Sequence, residues 1–346
     1  MNQEKMKVAM YYNNNDVRIE EMSIPIINEN ELLVKVKASG ICGSDVMEWY
    51  RIKQAPRVLG HEMTGQVVEV GKNVKNFKVG DRVFVSHHVP CNKCHYCLND
   101  HHTACETLHK TNFDPGGFSE YIRVPKINVE SGVYLLPEEV SYENGTFIEP
   151  LACVLRGQRL AKIGKNQTVL VLGSGVSGLL HIQMAKLNGA AKVIATDINE
   201  YRMKMAKKFG VDFVINAKED VPNHLKELND NRLADIVIVC TGALSAAYQA
   251  LKCVDKGGII LFFAVPEPGK DVTIPINDFW RNEITIMTSY GAAPKDLKEA
   301  LEIIRQHKIN VHDMITHKLS LAETGKGFQI VVEAKESMKV IIEPYK

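Results

Sequence analysis

The chain has 346 residues, 45% of them hydrophobic and 24% charged, and 42 basic against 41 acidic side chains leave a net charge of +1. This composition excludes a disordered, fibrous or disulfide-stapled small protein, and the length predicts two globular domains. The small net charge gives no electrostatic reason to expect nucleic acid or an anionic membrane as a partner.

Residues 1–7 are polar, and no apolar run reaches the length of a secretory signal or a membrane span. We therefore expect a cytoplasmic protein. Four of the eight cysteines lie within fifteen residues of one another, which favours metal thiolates over a disulfide framework.

Short β-like segments fill the chain from residue 31 to about residue 129. Gly71 and Gly80 mark tight turns between them, a pattern typical of a small, strongly curved β-barrel. The predicted strands are 32–37, 65–70, 82–85 and 118–124.

After Pro150, apolar strands alternate with helical stretches, which predicts βαβ units and a parallel sheet. The chain then returns to the N-terminal β unit, so we predict one domain of residues 1–152 with 290–346 and a second of residues 153–289. The predicted strands are 168–172, 192–196, 212–215, 235–240 and 258–263, followed by helices at 295–306 and 322–332 and a strand at 339–342.

A glycine-rich turn follows the predicted strand 168–172 and precedes a helical stretch. Gly173 permits a tight turn, Gly175 lets the backbone approach a pyrophosphate, and Gly178 allows the helix to pack closely on the strand. Val176 lies within this turn, a helical stretch follows at residues 179–188, and the N-terminus of that helix attracts an anion. The turn therefore predicts a dinucleotide site, with a turn used only for packing as the alternative.

Three further residues are predicted to contact the dinucleotide. Asp197 ends the next strand, where a carboxylate can bind both ribose hydroxyls and repel a 2′-phosphate, so NAD is favoured. Arg202 lies close enough in sequence to leave NADP open. Thr241 follows the strand 235–240 at the sheet edge where ligands bind, which predicts a contact with the nicotinamide half.

Cys91, Cys94, Cys97 and Cys105 form a C-x2-C-x2-C-x7-C run. Four thiolates enclose a tetrahedral zinc and leave no position for a substrate, so we predict a structural zinc. An iron–sulfur cluster and a zinc ribbon for nucleic acid are the alternatives, and the absence of a basic setting disfavours the second.

A dispersed set of Cys42, His61, Glu62 and Glu149 is compatible with a catalytic zinc, which takes three protein ligands and a water. The spacing alone leaves this open, because any chain of this size contains such residues.

These motifs together resemble the zinc-containing medium-chain dehydrogenases, and within them the polyol (sorbitol-like) and threonine dehydrogenase branch. The resemblance covers essentially the whole chain. It rests on residues 40–45, residues 60–62, the four-cysteine run, residues 149–151 and the turn of residues 173–178.

The resemblance implies an α/β protein with a GroES-like β-barrel domain that holds both zincs. A Rossmann doubly wound parallel-sheet domain binds NAD, and the active site lies between the two domains. It also implies that Cys42, His61 and Glu62 are the catalytic zinc ligands, that Glu149 lies beside the metal or swings onto it, and that the protein is a homodimer or homotetramer.

Ser44 matches the family's proton-relay hydroxyl, but Met47 stands where the family carries a relay histidine. Since a thioether cannot carry a proton, we hypothesise that protons leave through Glu149 or ordered water. Six histidines lie between residues 87 and 109, and we expect only His88 among them to line the pocket.

The predicted activity is hydride transfer between a secondary alcohol and NAD, with a polyol, cyclitol or amino alcohol as substrate. The short segment between Cys42 and His61, and Ser289 where sorbitol-like relatives have arginine, disfavour sorbitol itself. The alternatives are a bulkier alcohol such as an acyl-thioester-linked ring alcohol, a non-catalytic NAD-binding protein, and a nucleic-acid-binding zinc lobe.

Overall fold

The structure is a computed structural model that describes residues 4–346. This part of the chain divides into two compact units. The first contains the residues up to Ala152 together with Ala292–Lys346, and the second is Cys153–Gly291.

Strands and helices alternate along most of the described residues. The strands are β1 (Lys5–Asn13), β2 (Asp16–Ser23), β3 (Leu32–Gly40), β4 (Arg57–Val58), β5 (Glu62–Val70), β6 (Arg82–Val85), β7 (Tyr121–Val124), β8 (Val133–Leu135), β9 (Thr168–Leu172), β10 (Lys192–Asp197), β11 (Phe213–Asn216), β12 (Ala234–Val239), β13 (Val254–Phe262), β14 (Thr285–Thr288), β15 (Ile315–Ser320) and β16 (Lys339–Glu343). The α-helices are α1 (Glu48–Arg51), α2 (His95–Leu98), α3 (Glu106–Lys110), α4 (Lys126–Ser131), α5 (Tyr142–Gly145), α6 (Ile148–Leu160), α7 (Val176–Leu187), α8 (Glu200–Lys208), α9 (Val221–Leu228), α10 (Leu244–Cys253), α11 (Ile276–Arg281), α12 (Pro294–Arg305) and α13 (Thr324–Glu333). Short 3-10 helices lie at Ile52–Gln54, His102–Ala104, His312–Met314 and Leu321–Glu323.

The first unit contains a sheet in the order β15-β16-β3-β5-β6-β8, with β7 also paired to β3, and a smaller sheet in the order β2-β1-β4. Alternate apolar residues of β3, such as Leu32, Val34 and Val36, are buried with Met63 of β5 in one core. The β3–β5 pairing shifts register between Val36 and Ala38, and such bulges sharpen the twist of a sheet. The first unit therefore contains the β structure predicted for it.

Strands β1 and β2 form a hairpin that precedes the main sheet of the first unit. They pair along their length, from Lys5 opposite Ser23 to Asn13 opposite Asp16. The asparagine run at residues 13–15 supplies the turn between them.

The second unit is a parallel sheet in the order β11-β10-β9-β12-β13-β14, with the helices α7 to α10 between its strands. This is the strand order of a doubly wound fold, so the predicted Rossmann sheet is confirmed. Every residue of β9 is buried, as expected for the first strand of such a sheet.

The sequence patterns missed the sixth strand, β14, which pairs only with β13. It has four residues, and Thr285 and Thr288 at its ends are exposed. A short edge strand lacks the apolar run that identified the buried strands.

The C-terminal strand β16 lies in the sheet of the first unit, between β15 and β3. Ile341 of β16 pairs with Gly40 at the end of β3. None of the helices in the described part of the chain has the length and apolar content needed to cross a bilayer.

Candidate functional site

Two paired strands bring the dispersed metal-binding candidates together. Gly40 at the end of β3 lies opposite Glu62 at the start of β5 in an antiparallel register. Cys42 follows β3 and His61 precedes β5, so the pairing places both beside Glu62. The Cys42 Sγ atom, a His61 ring nitrogen and a Glu62 carboxylate oxygen all lie within 4.8 Å of one another. This arrangement fits three ligands of a metal ion.

Asp45 supports this group from behind, and its side chain is fully buried. One carboxylate oxygen accepts the Cys42 N–H at 3.0 Å, and the other lies 3.3 Å from His61 Nδ1. Burial alone would raise the pKa of Asp45, but His61 and Arg51 outweigh it and lower the pKa. A carboxylate on Nδ1 leaves Nε2 of the imidazole available to a metal.

Sequence reasoning gave Asp45 no role, although its position three residues after Cys42 is the signal that could have found it. The backbone turn between them is closed by the Asp45 N–H, which donates to the Cys42 carbonyl at 3.0 Å.

Glu62 forms a buried ion pair with Lys339, the first residue of β16. Burial raises the pKa of Glu62, and Glu149 adds to this, whereas Lys339 and His61 oppose it. Sequence reasoning missed Lys339. The signal was a charged residue directly before the apolar run Val340–Ile342.

Glu149 lies in the first turn of α6 and is half-buried. It is not a member of the three-residue group, although its charge acts on Glu62.

The predicted relay hydroxyl, Ser44, is contacted by a cation. Arg51 donates to the Ser44 carbonyl at 3.0 Å and to Ser44 Oγ at 3.2 Å. Met47 precedes α1 and is half-buried.

His87 lies closer to the three-residue group than the sequence suggested. The His87 ring centroid is 4.9 Å from that of His61, and the His88 ring stacks on His87 at 3.8 Å. Burial lowers the pKa of His87 well below its usual value and that of His88 to about 3. His87, which the sequence did not single out, is thus the histidine of residues 87–109 whose ring packs on His61.

The four-cysteine run folds on itself, with all four sulfur atoms within 4.8 Å of one another. Two Sγ pairs are 3.6 Å apart, close to the spacing of about 3.8 Å that four sulfurs at about 2.3 Å from a tetrahedral zinc would have. Burial raises the pKa of Cys105, but backbone N–H groups including that of Cys91 outweigh it and lower the pKa to about 6. The lobe fits one enclosed metal ion. Its members are Cys91, Cys94, Cys97 and Cys105.

The glycine turn has the geometry that each glycine was expected to provide. Gly173 has a φ of +95°, which favours glycine. A Cβ on Gly178 would lie 2.0 Å from the Gly173 carbonyl oxygen, whereas Gly175, the N-cap of α7, has no atom closer than 4.0 Å to that position. The backbone at Gly175 is therefore open to a ligand, and α7 begins at Val176.

Asp197 and Arg202 both lie at this turn. The Asp197 carboxylate accepts the Ser174 N–H at 2.8 Å and the Asn199 N–H at 2.9 Å. The Arg202 guanidinium carbon is 4.0 Å from the position of a Cβ on Gly175. Thr241 packs at 3.3 Å from the corresponding position on Gly173. The residues predicted to bind the dinucleotide are thus neighbours in the second unit.

Comparison with known proteins decides the family. Residues 28–136 match the alcohol dehydrogenase GroES-like domain, and residues 177–306 match the zinc-binding dehydrogenase domain. The chain is 30% identical to sorbitol dehydrogenase of Bacillus subtilis (strain 168), over 99% of this chain and 98% of the relative. It is 34% identical to L-threonine 3-dehydrogenase of Pyrococcus furiosus, over 92% of this chain and 91% of the relative.

The chain belongs to the zinc-binding alcohol dehydrogenases. Among solved structures, a zinc-binding dehydrogenase of Sinorhizobium meliloti 1021 bound to NADP superposes with a TM-score of 0.88 at 28% identity, covering 99% of this chain and 100% of the other. The predicted membership of the polyol and threonine branch is confirmed, as is the prediction of a zinc-dependent alcohol oxidoreductase that uses a nicotinamide cofactor.

The close contact between Gly178 and the Gly173 carbonyl leaves no room for a side chain at position 178. We expect Gly178→Ala to lower the free energy of unfolding by about 2–4 kcal/mol, because its Cβ would force the Gly173 carbonyl away. The same shift should weaken NADH binding about tenfold or more, because the turn positions the phosphate-binding N–H groups.

Urea unfolding and NADH fluorescence titration measure these two effects. Gly164→Ala is the matched control, because no atom lies within 4 Å of its Cβ position. If both variants had the same free energy of unfolding and the same NADH affinity, the close contact at Gly178 would contribute to neither.

Proposed function

We propose that the protein oxidises a secondary alcohol of a small hydroxylated compound, a polyol, cyclitol or amino alcohol, with NAD as the hydride acceptor. The convergence of Cys42, His61 and Glu62 carries this proposal. The relatives named for sorbitol and for L-threonine support a substrate with a secondary alcohol beside further polar groups.

Our assignment of ligands follows the geometry of the two clusters. Cys42, His61 and Glu62 would hold the catalytic zinc, and the four-cysteine lobe would hold a structural one. When bound, the catalytic zinc supplies a Lewis acid that favours loss of the alcohol proton. Asp45 orients His61, and Arg51 holds the Ser44 hydroxyl in a fixed direction.

Asp197 supports NAD over NADP. Its carboxylate is held by two backbone N–H groups at the end of β10, so it cannot easily turn away from the adenosine ribose. A fixed negative charge there repels a 2′-phosphate. Arg202 lies near enough to soften this preference, and the S. meliloti relative binds NADP, so both cofactors belong in the assay.

The central test is formation of NADH or NADPH from a panel of polyols, cyclitols and amino alcohols. We expect turnover with NAD, and about a 1,000-fold or greater loss in Cys42→Ala, because the metal loses a ligand. Cys253→Ala is the control, since this thiol is buried in the core of the second unit.

Zinc content should fall from two ions per chain to one in Cys42→Ala and stay at two in Cys253→Ala. Turnover only with a bulky ring alcohol would support the second substrate class. Cofactor binding without turnover on any alcohol would instead support a non-catalytic NAD-binding protein.

The proton route is the second part of the proposal. Met47 cannot relay a proton, and Arg51 remains charged at any physiological pH, so neither replaces the family's histidine. Glu149 is half-buried, its charge acts on Glu62, and its carboxylate can accept a proton, so we assign it the relay role.

We therefore expect Glu149→Gln to lower kcat about tenfold to 100-fold, because general-base assistance is lost. The pH profile of kcat should change with it. Glu138→Gln, which alters an exposed carboxyl earlier in the chain, is the control. An unchanged rate and pH profile in Glu149→Gln would leave ordered water as the route.

We also propose that the protein is a cytoplasmic homo-oligomer, a dimer or a tetramer. Strand β14 is an edge strand, and exposed apolar side chains lie near it in sequence on α11. Ile276 is 68% exposed and Trp280 is 76% exposed. A second copy related by a two-fold axis could pair with this edge and cover these residues.

Sedimentation or light scattering tests the oligomer. We expect the wild-type chain to have at least twice its monomer mass, and the double substitution Ile276→Ser with Trp280→Ser to reduce that mass. The exposed Ile26→Ser is the control, because it lies in the other unit. A monomeric wild-type protein would contradict the proposal.

A further inference from the structure

The most unusual contact outside the assigned ligands is the ion pair between Lys339 and Glu62. Each side chain is only 1% exposed, and the Lys339 ammonium lies directly on a Glu62 carboxylate oxygen. Strands β16 and β5, which these residues open, both pair with the same end of β3. The ammonium is therefore built into the sheet that positions Cys42 and His61.

The side chains of Lys339 and Glu62 are tightly enclosed by their neighbours. A Cβ on Gly40 would lie 2.5 Å from both Glu62 Oε2 and Lys339 Cε. The Phe147 ring centroid is 5.3 Å from the Lys339 ammonium. A glycine on one side and an aromatic face on the other thus enclose the two charges.

Stability alone does not account for this arrangement. Two well-packed apolar side chains would be as stable as a buried ion pair, because both ions lose their hydration. A role in function is the better explanation for the pair.

The charges of the ligand set indicate that role. A thiolate at Cys42 and a carboxylate at Glu62 cancel the two charges of a zinc ion, and the neutral His61 ring adds none. A zinc centre of this kind is a weaker Lewis acid than one with neutral ligands only. The Lys339 ammonium restores one positive charge beside the ligands.

We propose that Lys339 is a positioning residue of the metal centre: it pairs with Glu62 before zinc arrives and remains beside the carboxylate afterwards, so that the loaded centre stays positive. The proposal rests on the assignment of Cys42, His61 and Glu62 as ligands in the proposed function. According to this proposal, Lys339 lowers the affinity of the site for zinc and raises the turnover rate of the zinc-loaded enzyme.

The two effects follow from the same charge. Without zinc, the ammonium is the cation that neutralises the buried Glu62, so its removal destabilises the empty site. With zinc present, the ion replaces the ammonium as that cation and also repels it. Loss of the ammonium therefore costs the empty site more than the loaded one, and zinc binds the variant more tightly.

The experiment compares full-length wild type with Lys339→Met at pH 8, measuring zinc affinity by competition with a chelator. The Cys42→Ala variant keeps only the four-cysteine site. Its zinc binding is measured separately and subtracted from that of the other variants, which leaves the binding at the three-residue site. Lys318→Met is the matched control, because Lys318 on the neighbouring strand β15 pairs with Glu143 and Glu343 instead.

We expect Lys339→Met to bind zinc at the three-residue site about tenfold more tightly or better, and its kcat at full zinc loading to fall about fivefold or more. Lys318→Met should change neither. Equal or weaker zinc binding in Lys339→Met would overturn the proposal, since a merely structural lysine would loosen the site.

The zinc measurement does not depend on turnover, so an inactive protein would count against the proposed function and leave this inference testable. If Lys339→Met does not fold without zinc, the double variant with Glu62→Gln decides. Recovery of folding in the double variant supports the ion pair as the reason, and failure to recover overturns the proposal.

Discussion

The antiparallel pairing of β3 with β5 is the constraint on which the grouping of Cys42, His61 and Glu62 depends. Gly40 opposite Glu62 sets the register, and a slip of one residue would turn Glu62 to the other face of the sheet. Residues 43–60 connect the two strands, and Asp45 within this segment also holds the Cys42 backbone and the His61 ring in place.

The two buried carboxylates beside Cys42 and His61 each have a positively charged neighbour. The Asp45 carboxylate lies against the His61 ring and the Arg51 guanidinium, and Glu62 pairs with Lys339. Since an isolated charge in a protein interior is costly, each carboxylate needs its own cation. Asp45 and Lys339 thus hold His61 and Glu62 in place through separate contacts.

The glycine turn before α7 depends on close approach of backbone atoms. Gly178 lets α7 pack against the turn, and the open backbone at Gly175 leaves the helix N-terminus accessible. These residues all lie within Cys153–Gly291, which has its own sheet and core. The glycine turn therefore depends on the sheet of the second unit, whereas Cys42, His61 and Glu62 depend on the sheet of the first.

The sequence by itself determined the features whose partners are close in the chain. The four cysteines lie within fifteen residues, and the turn at Gly173 sits between one strand and one helix, so spacing alone predicts their geometry. The buried strands of the parallel sheet were also predicted, because continuous apolar runs between helices have few other interpretations.

Only the tertiary structure decided which distant residues meet. Lys339 reaches Glu62 across 277 positions because β16 pairs with β3, and no local pattern encodes such a pairing. The packing of His87 against His61 and the contact of Arg51 with Ser44 likewise depend on how loops close over the sheet. Short-range patterns record hydrophobic period and turn chemistry, whereas the register between distant strands is set by the packing of the whole unit.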